Sequence, residues 1–255
     1  MQAPKDIFRV WDQFKHFPME RFTKIFVMNK QPEKRQRTVA QMKEHYEKYN
    51  ITGNCFDLAI WLLHELREQG IKAYAVGHDM LTEKAHVAVV AEDARGIKYL
   101  CDLGDQWIQP ICIDAKSETF HSNDCEGFFP GATIQVLAAE DEVTILYKRP
   151  NGKMSKQTYD LQPIDDDTLL VAAEMSQRTL SKEPLFECRL YDGDDVVHWE
   201  FYNWRSFSSS MNGLVYDEPL HTVEEWAKRI HEKAGYPIDF LLEVLSYYER
   251  FRKNV

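Results

Sequence analysis

Several absences narrow this chain before any motif is considered. No stretch is long and apolar enough to cross a bilayer. The opening "MQAPKDIFRVWDQFKHF" is charged and has no apolar h-region, so a cytoplasmic protein is expected and a membrane partner is not. The five cysteines (Cys55, Cys101, Cys112, Cys125, Cys188) are odd in number and form no CxxC pair, which argues against a disulfide framework or a structural zinc site. Positive charge is short: the formal net charge is −10, so no nucleic-acid partner held through its phosphates is expected. Internal repeats, Gly/Ser or Pro linkers, HExxH, Walker and GxGxxG patterns are all missing, and no metal is expected.

What is present reads as an α+β protein. "PKDIFRVWDQFKHF" opens on a proline suited to a first helical turn, and "RQRTVAQMKEHYEKYN" is polar with few breakers. Between Cys55 and Leu66, apolar residues fall at Phe56, Ala59, Ile60, Leu62, Leu63 and Leu66, a helical spacing that Gly70 stops. The texture then changes to short β-branched and aromatic runs: "KAYAVGH", "AHVAVVAED", "IKYLCDLG", "ATIQVLAA", "EVTILYKR" and "KMSKQTYDL". Asn151-Gly152 marks a hairpin between the last two. "LFECRLYDG" and "VVHWEFYNWRSF" read as a hairpin around Asp192 to Asp195, and Asp165-Asp166-Asp167 as a solvated acidic turn. Thr222 to Glu225 is a capping-box pattern closed by Gly235, and Pro237 opens a last helix. Strands do not alternate with helices, so a doubly wound parallel sheet is disfavoured. The expected organisation is an N-terminal helical bundle (1–84), a central antiparallel β-barrel or sheet (85–180) and a C-terminal α/β lid (181–255).

Cys55 follows Gly53-Asn54 at a predicted helix start. There the positive end of the helix and unpaired backbone N–H groups favour a thiolate, and Asn54 is positioned to cap. Taken alone, a cysteine is more often a small buried hydrophobe. A nucleophile needs a base and the base an orienter. His86 begins one predicted strand and Asp102 lies on the next, so a hairpin brings imidazole and carboxylate within reach. Cys101 points to the opposite face and reads as core; His64, His78 and His121 have no assigned place.

These residues, as Gly53-Asn54-Cys55, His86-Val87-Ala88-Val89-Val90 and Leu100-Cys101-Asp102-Leu103-Gly104, resemble the motifs of the arylamine N-acetyltransferases, within the transglutaminase-like cysteine superfamily. "PGATIQVLAAEDEVTILYKRPNGKMSKQTYDLQPID" is similar to that family's central barrel, and the C-terminal part to its lid. The resemblance implies a Cys55–His86–Asp102 triad. It would carry an acyl group from acetyl-CoA or another acyl-CoA to a small-molecule amine through a Cys55 thioester, with ping-pong kinetics. The family's acceptor pocket maps to Asp105 and Trp107, where this chain departs by having Asp105 in an aromatic position. Other departures are Ile51-Thr52-Gly53-Asn54 in place of Arg-Gly-Gly-aromatic, and Asp57 and Ala59 in place of Glu or Gln and Asn. Two alternatives stay open: a transglutaminase-like amidase or peptidase with the same triad, and a non-catalytic binding module of this fold.

Overall fold

The computed structural model describes residues 1–30, 36–193 and 195–252. The chain opens with α1 (Lys5–Trp11), entered through Pro4, which buries Ile7, Val10 and Trp11. β1 (Met19–Glu20) and α2 (Phe22–Lys30) follow. Helix α3 (Val39–Tyr49) starts in a capping box between Thr38 and Gln41 and ends at Asn50 in the left-handed region. Arg35, the first residue of the second expected helix, lies outside the described residues. Helix α4 (Cys55–Glu68) buries Phe56, Ala59, Leu62, Leu63 and Leu66 of the predicted face and Leu58 besides, while Ile60 is half-buried. Each of these Phe and Leu side chains stabilises by about 1.5–3 kcal/mol, which anchors the start of this helix firmly.

Eight strands then form one sheet: β2 (Lys72–His78), β3 (His86–Glu92), β4 (Lys98–Cys101), β5 (Ile111–Cys112), β6 (Cys125–Phe129), β7 (Ala132–Ala138), β8 (Glu142–Lys148) and β9 (Met154–Ile164). Their order is β5-β4-β3-β2-β9-β8-β7-β6, every pairing antiparallel. The two edges approach each other where the Ile108 N–H donates to the Phe128 carbonyl at 2.8 Å, so the sheet is a nearly closed barrel. β3 is buried on both faces because α4 covers one of them, hence its unbroken apolar run. The Asn151-Gly152 turn joins β8 to β9, with Gly152 at positive φ.

Helix α5 (Asp166–Arg178) corrects the acidic-turn reading: Asp165 caps it by accepting from the Thr168 N–H, and Asp166 and Asp167 sit in the first turn, where negative charge is favoured. A second sheet follows from β10 (Leu185–Asp192), β11 (Asp195–Tyr202), β12 (Arg205–Ser210) and β13 (Gly213–Tyr216), with β1 pairing along the β10 edge. The expected continuous strand "VVHWEFYNWRSF" breaks into β11 and β12 at Asn203 and Trp204, both at positive φ as a tight hairpin requires. Asp194, within the expected β10–β11 turn, lies outside the described residues. Helix α6 (Val223–Ala234) carries the Thr222–Glu225 capping box and ends at Gly235, and α7 (Ile238–Glu249) starts at Pro237. Trp199 and Phe201 of the second sheet pack with Trp226, Leu241 and Leu245 of these helices in a core separate from that of the barrel. The fold is α+β, with a nearly closed antiparallel barrel and a second sheet packed by helices; β2, within the expected helical region 1–84, belongs to the barrel and β1 to the second sheet. No helix among the described residues is long and apolar enough to cross a membrane.

Candidate active site

The loop before α4 is held from several sides. The Thr52 hydroxyl donates to the Pro18 carbonyl at 2.7 Å, and its N–H donates to the Tyr236 hydroxyl at 2.9 Å. Arg37 donates to the Thr52 carbonyl and pairs with Asp57 at 3.3 Å, both side chains buried. Gly53 has φ +138°, and a Cβ there would collide with Asp57 and Arg37; only glycine fits. Asn54 caps α4: its carbonyl accepts from the Phe56 N–H at 2.8 Å, while Asp57 accepts from the Asn54 N–H at 3.1 Å. Cys55 is therefore the first residue of a tightly seated helix, at its positive end.

His86 opens β3, and Asp102 follows the last residue of β4, the neighbouring strand. His86 Nε2 and Asp102 Oδ2 are 2.6 Å apart. The same carboxylate accepts from the Tyr159 hydroxyl at 2.5 Å and from the Asp105 N–H at 2.8 Å. Since Nε2 faces Asp102, Nδ1 is the ring nitrogen left for a second partner. Burial works against charge on His86, but the Asp102 carboxylate, and then the hydrogen bonds to Asp102 and Cys55, hold its pKa well above the ordinary value. Burial likewise penalises the Asp102 anion, yet His86, Tyr159 and the Asp105 N–H outweigh it and keep that carboxyl below its usual range.

Gly104 shows how closely the three groups converge. A Cβ there would stand 2.6 Å from the Cys55 Cβ, 3.1 Å from His86 Cε1 and 3.3 Å from Asp102 Oδ1. The structure thus brings Cys55, His86 and Asp102 around one point. Asp105 and Trp107 lie behind Asp102: Trp107 is fully enclosed, and its indole N–H donates to Asp105 at 3.1 Å. Burial and the nearby Asp102 push the Asp105 carboxyl up to about 6, against the hydrogen bond donated by Tyr147.

His86 also opens onto a groove of about 1420 Å³. Asp79, Glu140, Asp141, Glu142 and Asp160 line it, together with Lys156, His78 and His86. His78, unplaced in the sequence, stacks on His86 with ring centroids 5.6 Å apart. The two histidines are register partners across the β2–β3 hairpin, a symmetry readable from their spacing about the 79–85 turn. Tyr159 had no comparable signal, being 57 residues from its partner. Cys101 is buried in the core. Among the described residues, Glu187, His198 and Glu200 form a separate group whose ligand atoms lie within 4.8 Å of one another.

No model of a known family matches the chain, and no curated protein is similar to it in sequence. Solved structures do match. An arylamine N-acetyltransferase from Mycobacterium marinum, solved in complex with CoA, superimposes with a TM-score of 0.70 at 10% identity, over 96% of this chain and 91% of that one. The enzyme from M. tuberculosis gives 0.71 at 13% identity, over 96% and 91%. One from Bacillus cereus, reported with a Cys-His-Glu catalytic triad, gives 0.65 at 14% identity, over 92% of each chain. The chain has the fold of the arylamine N-acetyltransferases along nearly its whole length.

Proposed function

We propose that the protein is a cysteine-dependent N-acyltransferase, with Cys55 as nucleophile, His86 as general base and acid, and Asp102 as the residue that orients and charges the imidazole. The observation that carries this reading is the convergence of the three side chains on Gly104 at the start of a capped helix. His86 takes the thiol proton from Cys55, and Asp102 stabilises the imidazolium that results. The thiolate attacks the carbonyl carbon of an acyl thioester, of which acetyl-CoA is the representative donor. The new C–S bond forms as the bond to the departing thiolate breaks, and that thiolate takes the proton from His86. In the second half-reaction the neutral imidazole removes a proton from the attacking amine. The C–N bond forms, the C–S bond to Cys55 breaks, and the proton returns to the Cys55 sulfur. Asn54 occupies the Phe56 and Asp57 N–H groups, which leaves the Cys55 N–H to a developing oxyanion. Trp107 is enclosed, so it and Asp105 support Asp102 from behind.

Intact-protein mass spectrometry after incubation with acetyl-CoA tests the reading. A mass gain of one acetyl group, absent in Cys55→Ser and discharged by an amine, is expected. An unlabelled protein that cleaves amides through Cys55 would instead identify an amidase built on the same three residues.

A further inference from the structure

Within the barrel, the imidazole of His86 is held by a hydrogen bond at one nitrogen, Nε2, which lies 2.6 Å from Asp102. The last torsion of a histidine side chain has broad wells. One hydrogen bond therefore leaves the ring able to tilt, and a tilt moves Nδ1, the nitrogen left for the nucleophile's proton. What limits the tilt is the packing on the rest of the ring. Tyr159 meets it at a steep angle, with centroids 6.1 Å apart and planes at 62°. Gly104 crowds one edge, since a Cβ there would stand 3.1 Å from Cε1. The flat side is taken by His78, whose ring is 5.6 Å away and inclined by only 25°.

This stack is built by the β2–β3 hairpin. His78 ends β2 and His86 opens β3, and the two are directly opposite in register, which places their side chains on the same face of the sheet. Gly77 allows the two strands to approach there, because a Cβ at that position would stand 2.2 Å from the His86 carbonyl oxygen. His78 is in turn fixed from two further sides. Its Nδ1 lies 3.1 Å from an Asp79 carboxylate oxygen, and its Nε2 lies 3.4 Å from the side-chain amide nitrogen of Gln157 on β9. A proton on Nδ1 satisfies both contacts: Nδ1–H donates to Asp79, and Nε2 accepts from Gln157. Tyr159 also packs against His78, 6.2 Å away at 67°.

Both nitrogens of His78 are thus engaged away from His86, and among the described residues no hydrogen bond joins the two imidazoles. The contact is made by ring faces, a geometry that holds a plane and does not pass a proton. We infer that His78 is a positioning residue for the general base: its ring plane keeps the His86 imidazole at the tilt that presents Nδ1 to Cys55. The inference rests on the acyl-transfer reading's assignment of His86 as the base of Cys55, and it adds the element that sets the attitude of that base.

Three variants of the full-length protein separate the ring from its proton. His78→Phe keeps a flat ring without a titrating nitrogen, His78→Gln keeps a hydrogen-bonding amide without a ring, and His78→Ala keeps neither. Two rates are read at neutral pH: alkylation of Cys55 by iodoacetamide, which needs no acyl donor, and single-turnover transfer from acetyl-Cys55 to an amine. Both should fall roughly two- to tenfold in His78→Ala and His78→Gln, the range of one lost aromatic pair, and His78→Phe should restore most of each rate. Full rates in His78→Ala, or a His78→Phe as slow as His78→Gln, would overturn the inference. Far-UV circular dichroism checks that the variants fold. If they do not, Asp79→Ala decides, because it frees the His78 ring from an exposed partner: both rates should fall by a smaller factor, and unchanged rates would overturn the inference. If acetyl-CoA fails to label Cys55 while alkylation still follows the presence of the ring, the acyl-transfer reading falls and the positioning of His86 stands.

Discussion

Asp102 and Glu187 are both withdrawn carboxyls, yet their surroundings push their protons in opposite directions. Asp102 accepts from His86, Tyr159 and the Asp105 N–H, and its pKa lies below the usual range. Glu187 accepts from no donor among the described residues and faces Glu200 across the ladder, and its pKa lies well above the usual range. Burial penalises both anions; the donors and the sign of the neighbouring charge differ. On the barrel side Asp102 is matched by donors from the chain, whereas on the lid side Glu187 faces a second carboxyl.

The largest break in this contrast is expected from Asp102→Asn, which removes the anion and leaves the volume. Transfer should fall by roughly 10³–10⁴-fold, as when a triad carboxylate is neutralised. The pH profile should move with it. Because the His86 pKa is raised, the amine-transfer step, which needs the neutral ring, accelerates as pH rises through that raised value. Loss of Asp102 destabilises the imidazolium and shifts this inflection to lower pH; single-turnover deacylation across pH measures it. An inflection left in place would contradict the assignment of Asp102 as the main source of the shift.

Gly104→Ala should come next. The added methyl must displace Cys55 or His86, and a misplacement of about 1 Å costs on the order of 10²-fold in rate. Far-UV circular dichroism should stay unchanged while alkylation of Cys55 slows. A fully active Gly104→Ala would mean that the three groups are more loosely arranged than the geometry indicates.

The smallest effect sharpens the lid side. Glu187→Gln should raise the melting temperature at neutral pH by about 2–4 °C, equivalent to about 1 kcal/mol in a chain of this size. The sign follows from linkage: a carboxyl whose folded pKa is raised contributes most stability below its unfolded pKa and loses it as pH rises through the folded one. The gain from Gln should therefore shrink on acidification and vanish near the ordinary glutamate pKa. Scanning calorimetry at several pH values tests this, and a gain that grows on acidification would contradict it.

Local signals carried much of this molecule. The amphipathic spacing after Cys55, the Asn54 cap, the Thr222 box and the Asn151-Gly152 turn each depend on neighbours within a few residues, and each takes the structure the sequence suggests. The His86–Asp102 contact was legible because one hairpin joins the two strands. Arg37 and Tyr159 were not, since they reach the site from separate elements and nothing in their own sequence context marks them. The same holds for Glu187, His198 and Glu200. Their alternation with Trp199 and Phe201 shows a two-faced strand pair, but only the docking of that pair on the barrel reveals what its polar face looks towards. The Asp165–Asp167 stretch misled because capping chemistry and turn chemistry use the same residues.

The two-residue strand β1 has a mechanical consequence. Met19 and Glu20 pair with Glu187 and Phe186 of the lid sheet, while the Glu20 N–H holds the Gly53 carbonyl just ahead of Cys55. This short segment works as a tie-rod between lid and nucleophile. A tilt of the lid sheet would be transmitted along β1 to the loop that carries the sulfur, and a cut that removed the lid would slacken that loop.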